Sequence, residues 1–133
     1  MSIEDILYRE EGCNAAGART YYISFRPNGS SAPTVYFGAG ISAVAYVTGS
    51  IVTFTMTDGG WTRLLDFSFG VQTAAGDAAI GTTLELDTTN TNLDTGVIAV
   101  ATTNAAGTRA DVASDSTTMC YFRVVVSKNP LDS

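Results

Sequence analysis

The chain has no histidine, and only two cysteines, three prolines and one tryptophan among its 133 residues. Without histidine there is no Ser-His-Asp or Cys-His nucleophilic relay, and the commonest side-chain ligand of zinc is missing. Cys13 stands in a Gly-rich connector and Cys120 inside an apolar run, so the two make no zinc motif, and they permit one disulfide without requiring it. Charge is scarce as well: Asp, Glu, Lys and Arg supply 15% of the residues, with a net charge of −6. The basic residues Arg9, Arg19, Arg26, Arg63, Arg109, Arg123 and Lys128 are scattered singly. A nucleic-acid-binding protein clusters such residues to displace counterions from phosphates, so no direct contact with DNA or RNA is expected. The acidic balance is read as ordinary solubility. No run approaches the ~18 apolar residues of a transmembrane helix, so no membrane partner is expected either. The first residues, MSIEDILYREEG, place acids where a secretory signal has a basic region and an apolar stretch, which predicts a cytosolic product with reduced thiols.

What the chain does have is apolar and β-forming. Hydrophobic residues reach 45%, with abundant Thr, Val, Ala and Gly, which is the usage of an all-β protein rich in turns. A chain of this length fits one domain and buries a core without staples. Residues 49–71, GSIVTFTMTDGGWTRLLDFSFGV, read as two strands joined by a tight turn at Asp58-Gly59-Gly60. A period of two predicts Val52, Phe54 and Met56, then Leu65, Phe67, Phe69 and Val71, on one face, with Thr53, Thr55, Thr57, Thr62, Leu64, Asp66 and Ser68 on the other. Burying seven such side chains is worth about 1.5–3 kcal/mol each.

Alternation marks further strands along the chain. TYYISF at 20–25 alternates Tyr21, Ile23 and Phe25 with Tyr22 and Ser24, and stops at the turn signal Pro27-Asn28-Gly29. Strands at 34–37 and 41–47 are separated by Gly38-Ala39-Gly40, read as a bulge or tight corner because no third glycine or helical pattern follows to make a phosphate loop. Residues 83–86 form a short strand, 96–103 a strand apolar on both faces, and 119–127 a strand with Phe122, Val124 and Val126 opposite Tyr121, Arg123, Val125 and Ser127. About eight strands with turns roughly every ten residues predict a two-sheet, jelly-roll-like sandwich over residues 18–133. Residues 1–17 form an arm and linker, in which Ser2 to Asp5 match a helix-capping pattern and Ile3, Ile6 and Leu7 share one helical face. A helix this short needs something to dock on, either its own sheet edge or a neighbouring subunit.

Chemistry-bearing clusters are few. DTTNTNLD at 87–94 holds Asp87, Asn90, Asn92 and Asp94 within eight residues, but lacks the glycine and terminal glutamate of a calcium-binding EF-hand loop and is read as a polar turn. A glycosidase would need two facing carboxylates about 5–9.5 Å apart, for which Asp66 with Asp87 or Glu85 are the candidates. Asp66 and Glu85 alternate with core residues, so they are read as solvent-face residues, and no catalytic residue, metal or cofactor is expected. The candidate partner and oligomer interface is Ile3, Ile6, Leu7 and Tyr8 of the arm with the outward Tyr22 and Tyr36, since outward tyrosines are enriched at interfaces. Tyr22, Tyr36 and Trp61 are also candidate stacking platforms for a sugar.

In GSIVTFTMTDGGW, GVIAVATTNAAGT and YFRVVVSKNP, the chain resembles the small β-rich structural proteins of tailed-bacteriophage virions, most of all capsid decoration, or cement, proteins. The likeness is one of texture across residues 18–130, without a residue-specific motif, so it carries no functional residues over. It implies a non-enzymatic protein made in the host bacterial cytoplasm that binds the major capsid protein lattice on the virion surface, commonly as a homotrimer, with residues 1–12 as a candidate clamp. The alternative is a carbohydrate- or receptor-binding sandwich of a tail or fibre.

Overall fold

Alternating apolar and polar side chains produce eight strands in the computed structural model, which describes residues 17–114 and 116–128. They are β1 (Ala18–Asn28), β2 (Ser31–Phe37), β3 (Ile41–Tyr46), β4 (Ile51–Met56), β5 (Arg63–Gln72), β6 (Thr83–Leu86), β7 (Val97–Thr103) and β8 (Met119–Ser127). The first sheet has the order β2-β1-β8-β5 and the second β3-β4-β7-β6, and every neighbouring pair is antiparallel. No helix occurs among the described residues. The fold is therefore the all-β, two-sheet sandwich that the strand count predicts. The arm, including Ile3, Ile6, Leu7 and Tyr8, lies outside the described residues, as do Cys13 and Pro130.

Each sheet turns one face of its strands inward. Tyr21, Ile23 and Phe25 of β1 and Phe122, Val124 and Val126 of β8 come from the first sheet, while Val52, Phe54 and Met56 of β4 and Ile98 and Val100 of β7 come from the second. At the centre, the Phe54 ring lies 5.1 Å from that of Phe25 and 5.2 Å from that of Phe122, tying the two sheets together. Tilted and edge-on rings at this spacing add about 0.5–1.5 kcal/mol per pair beyond the area they bury. β7 is buried on both faces, as its unbroken apolar run predicts: Ala99 and Ala101 join Ile51 in a second small cluster away from the main core. Cys120 is also in the core, where burial pushes its thiol up to about 12.

Three expectations change. β4 and β5 are not a hairpin: β4 pairs with β3 and β7, whereas β5, among the described residues, pairs only with β8 in the opposite sheet. The Asp58-Gly59-Gly60 segment crosses between sheets, laid against the turn before β7, with Gly60 N donating to Asp94 O at 2.6 Å and Trp61 N to Leu93 O at 3.1 Å. A side chain on Gly59 would meet the Asp94 carbonyl oxygen at 2.6 Å, so the glycine there serves close backbone approach and not a hairpin turn. Second, the face of β5 is shifted. A bulge between Leu64 and Asp66 brings Leu64 to the core and leaves Leu65 outside it, while Phe69, near the open edge of the sheet, stays 47% exposed. Third, β1 runs through Pro27 and Asn28. Its pairing with β8 ends at Phe25, so the missing proline N–H falls where one neighbour has already been lost and β2 pairs irregularly.

The corner at Gly38-Ala39-Gly40 is as expected, with Gly40 at φ +84° and Ile41 N donating to Gly38 O as the chain passes from β2 to β3.

Phe54 is fully buried between the sheets, so Phe54→Ala should lower the unfolding free energy by about 3–5 kcal/mol, through lost transfer energy and a residual cavity. Urea denaturation of the two proteins measures this difference.

Candidate functional site

The outer face of the first sheet is built in rows by strand register. One row places Phe37 of β2, Ser24 of β1, Tyr121 of β8 and Gly70 of β5 side by side, and the next places Tyr22, Arg123 and Ser68. Large rings thus alternate with small residues. The Tyr121 ring lies over Gly70, in space that any side chain there would take. Tyr22, Tyr36, Phe37 and Tyr121 are all exposed, and a groove of about 300 Å³ is lined by Tyr22, Phe37 and Tyr121 with Ser24, Ser68 and Arg123 among others. Tyr36 is brought to the same face by a bulge: Ser24 pairs with Phe37 and Phe25 with Val35, which leaves Tyr36 unpaired beneath the Arg26 guanidinium, 5.8 Å from its ring centre.

The polar centre of this face is an ion pair. Arg123 donates from Nε (3.1 Å) and Nη2 (2.6 Å) to the same Asp66 carboxylate oxygen, and both side chains are about two-fifths exposed. Asp66, and to a lesser extent the nearby Tyr22, holds the Arg123 guanidinium above its ordinary value. The face therefore offers aromatic walls around a pair that is neutral overall, with a cationic donor and an anionic acceptor side by side.

Of the residues expected at an interface, Tyr22 and Tyr36 are brought together here, while Ile3, Ile6, Leu7 and Tyr8 lie outside the described residues. Trp61 is not a stacking platform. It is 6% exposed, packs edge-on against Tyr21 at 6.3 Å, lies beneath the Lys128 ammonium and donates its Nε1–H to Asp58 O at 3.0 Å. Sequence reasoning missed Phe37, because the bulge at Tyr36 breaks the alternation that would have placed it. It noted that Tyr121 faces away from the core but did not single it out.

The acidic candidates separate into different settings. Asp66 belongs to the outer face just described, whereas Glu85 and Asp87 meet at the far edge of the second sheet, where Arg109 binds both, at 2.5 Å and 2.9 Å. The other Asp87 oxygen accepts from Asn90 N (2.9 Å) and Nδ2 (2.7 Å). Thr91 then donates its hydroxyl to Asp87 O and accepts from Ala99 N, fastening the turn to β7. Asn92 closes the next turn by accepting from Asp94 N and Thr95 N. The 87–94 segment is a polar turn, and among the described residues no group of three His, Cys, Asp or Glu is placed to hold a metal.

A larger depression of about 710 Å³ lies between the 77–82 and 104–116 loops. The two carboxylates among its described lining residues are bound to neighbouring protein groups: Asp77 accepts from Ala79 N, Thr117 N and Thr117 Oγ1, and Asp111 from Tyr46 Oη. The backbone N–H of Thr117 is the first cause that keeps the Asp77 carboxyl below its ordinary value.

Comparison of the chain with protein-family models, curated proteins and solved structures finds no match.

Asp87 carries a pH-dependent share of stability. The Asn90 side-chain amide first, then Arg109 and the Asn90 backbone, lower its carboxyl against the opposing effect of burial. Its contribution is thus complete above the ordinary carboxyl value of about 3.9 and lost as the pH falls through the lower folded-state value. Asp87→Ala should cost about 1–3 kcal/mol at neutral pH by leaving the Asn90 backbone and side-chain N–H groups and Arg109 Nη1 without that acceptor, while Arg109 Nε keeps Glu85. Asp87→Asn should flatten the loss of thermal stability below about pH 4, relative to the parent chain; calorimetric melting from about pH 2 to pH 7 checks both.

Proposed function

We propose that this chain is a non-enzymatic structural protein of a virion, made in a bacterial cytoplasm and docked on the capsid surface, where it binds the major capsid protein and stabilises the lattice. The observation that carries the reading is the aromatic outer face of the first sheet. Tyr22, Tyr36, Phe37 and Tyr121 stand exposed together beside Arg26 and Arg123. Tyrosine, phenylalanine and arginine are the residues that protein interfaces favour, and contiguous apolar patches on soluble monomers are commonly sites of association. The low charge of the chain and its likeness in texture to phage decoration proteins support the same reading.

A second reading, a saccharide-binding sandwich of a tail or fibre, is favoured by one specific observation. Arg123, held by Asp66, lines the groove with Ser24 and Ser68 beside aromatic walls, presenting a cationic donor and hydroxyls suited to the hydroxyls of a neutral sugar. A pocket of mostly apolar lining with a few convergent polar groups is the general form of a small-molecule site.

Purified protein incubated with undecorated capsids should co-sediment with them, and the double variant Tyr22→Ala/Tyr121→Ala should bind about 10- to 100-fold more weakly, the loss expected of central aromatic contacts. Absence of co-sedimentation defeats the capsid reading. Saturation of the same face by a neutral oligosaccharide in an NMR titration, without capsid binding, would establish the second reading in its place.

A further inference from the structure

The four outer edges of the sandwich are unequally protected. β2 carries Pro33 and is paired to β1 through two register shifts. β3 has a shift after Ile41 and follows β2 directly around the 38–40 corner. β6 is four residues long, and its Glu85 is bound to Arg109. Prolines, bulges, shortness and charge are the features that stop an edge from accepting another strand. β5 differs from all three. After the bulge at Leu65 it runs in unbroken register with β8 from Asp66 to Gln72, without proline and with a single charge that Arg123 neutralises. On its other side it is hydrogen-bonded to no strand among the described residues, so the backbone N–H and C=O groups of that side have no ladder partner there. Phe69, the midpoint of this regular run, is 47% exposed.

We propose that β5 pairs antiparallel with β5 of a second copy of this chain about a twofold axis at Phe69. The sequence is self-complementary in that register. Asp66 opposes Gln72 of the second copy, Phe67 opposes Val71, Ser68 opposes Gly70, and Phe69 opposes its own equivalent. All seven regular residues are used, no like charges meet, and residues facing the core remain opposite residues facing the core. A register slipped by one residue would set Phe67 or Phe69 opposite residues of the outer face, which the pleat forbids. The row of backbone groups on that side gains partners that only another strand can supply in full, and the Phe69 ring is covered by its equivalent. On the outer face, Tyr121 lying over Gly70 comes beside Ser68 of the second copy. The two first sheets become one eight-stranded sheet, and the two aromatic faces become one continuous surface. This pairing closes at two copies, so it builds a dimer and not the trimer that the resemblance implies. It stands independently of the capsid reading, because its test requires no capsid.

The full chain should show the mass of a dimer by light scattering at micromolar concentration, and Phe69→Lys should return it to a monomer with unchanged far-ultraviolet circular dichroism and Trp61 fluorescence. Cross-linking reads the register directly, and keeps the proposal testable even where Phe69→Lys fails to fold. In a Cys13→Ser background, with buried Cys120 inert, Phe69→Cys should give a disulfide-linked dimer under mild oxidation, because a residue on the twofold faces its own equivalent within bridging distance. Gln72→Cys, which faces Asp66 of the second copy, should not. A monomer at all concentrations, a trimer, or equal cross-linking at both positions overturns the proposal. So does a dimer that resists Phe69→Lys and gives no cross-link through Phe69→Cys.

Discussion

The contact of Phe54 with Phe25 and Phe122 is the constraint from which the rest of the molecule follows. Phe54 enters from the second sheet, and Phe25 and Phe122 from the first, so the three rings fix the spacing and alignment of the layers. Once those rings are inside, the period of two along each strand dictates what faces out. On β1 and β8 that leaves Tyr22, Ser24, Tyr121 and Arg123 on the opposite surface, and the register between the strands sets them in rows. The aromatic surface is the reverse side of the aromatic core.

Scarcity of charge shapes that surface. Arg19 is bound to Asp58, Arg109 to Glu85 and Asp87, and Arg123 to Asp66. Exposed ion pairs of this kind contribute little to stability, because water and salt screen them. Their effect here is more on character than on stability: on the outer face of the first sheet the Arg123 charge is balanced in place by Asp66, among the rings of Tyr22, Phe37 and Tyr121. Arg109 is the exception, since its partner Asp87 is buried and also organises the turn that covers β7. The same scarcity leaves β5 without the lysines and prolines that would guard its edge.

Much of this was legible in the residues. The strands at 83–86 and 119–127 have the bounds that alternation predicts, the strand buried on both faces at 97–103 follows from its unbroken apolar run, and Tyr21, Ile23 and Phe25 are in the core as their spacing requires. Tyr22 and Tyr36 were legible as outward residues, and the 87–94 segment as a polar turn. That β4 and β5 lie in different sheets was not legible, because Asp-Gly-Gly suits a hairpin turn and a crossing between sheets equally, and the choice is made by the distant 93–96 segment against which the glycine packs. Trp61 was misplaced for the same reason: its burial depends on Tyr21, Asp58 and Lys128, brought together from three parts of the chain.

By itself the sequence determined what each residue can do over a few neighbours: which side of a strand it occupies and where the chain must turn. Only the tertiary structure decided which strands became neighbours, where bulges re-aimed Leu65 and Tyr36, and hence that Phe37 and Tyr121 join Tyr22 and Tyr36 on one face. The physical reason is that side-chain alternation is local, set by the pleat of the backbone, whereas register and strand order are settled by packing and hydrogen bonding between segments far apart in the chain.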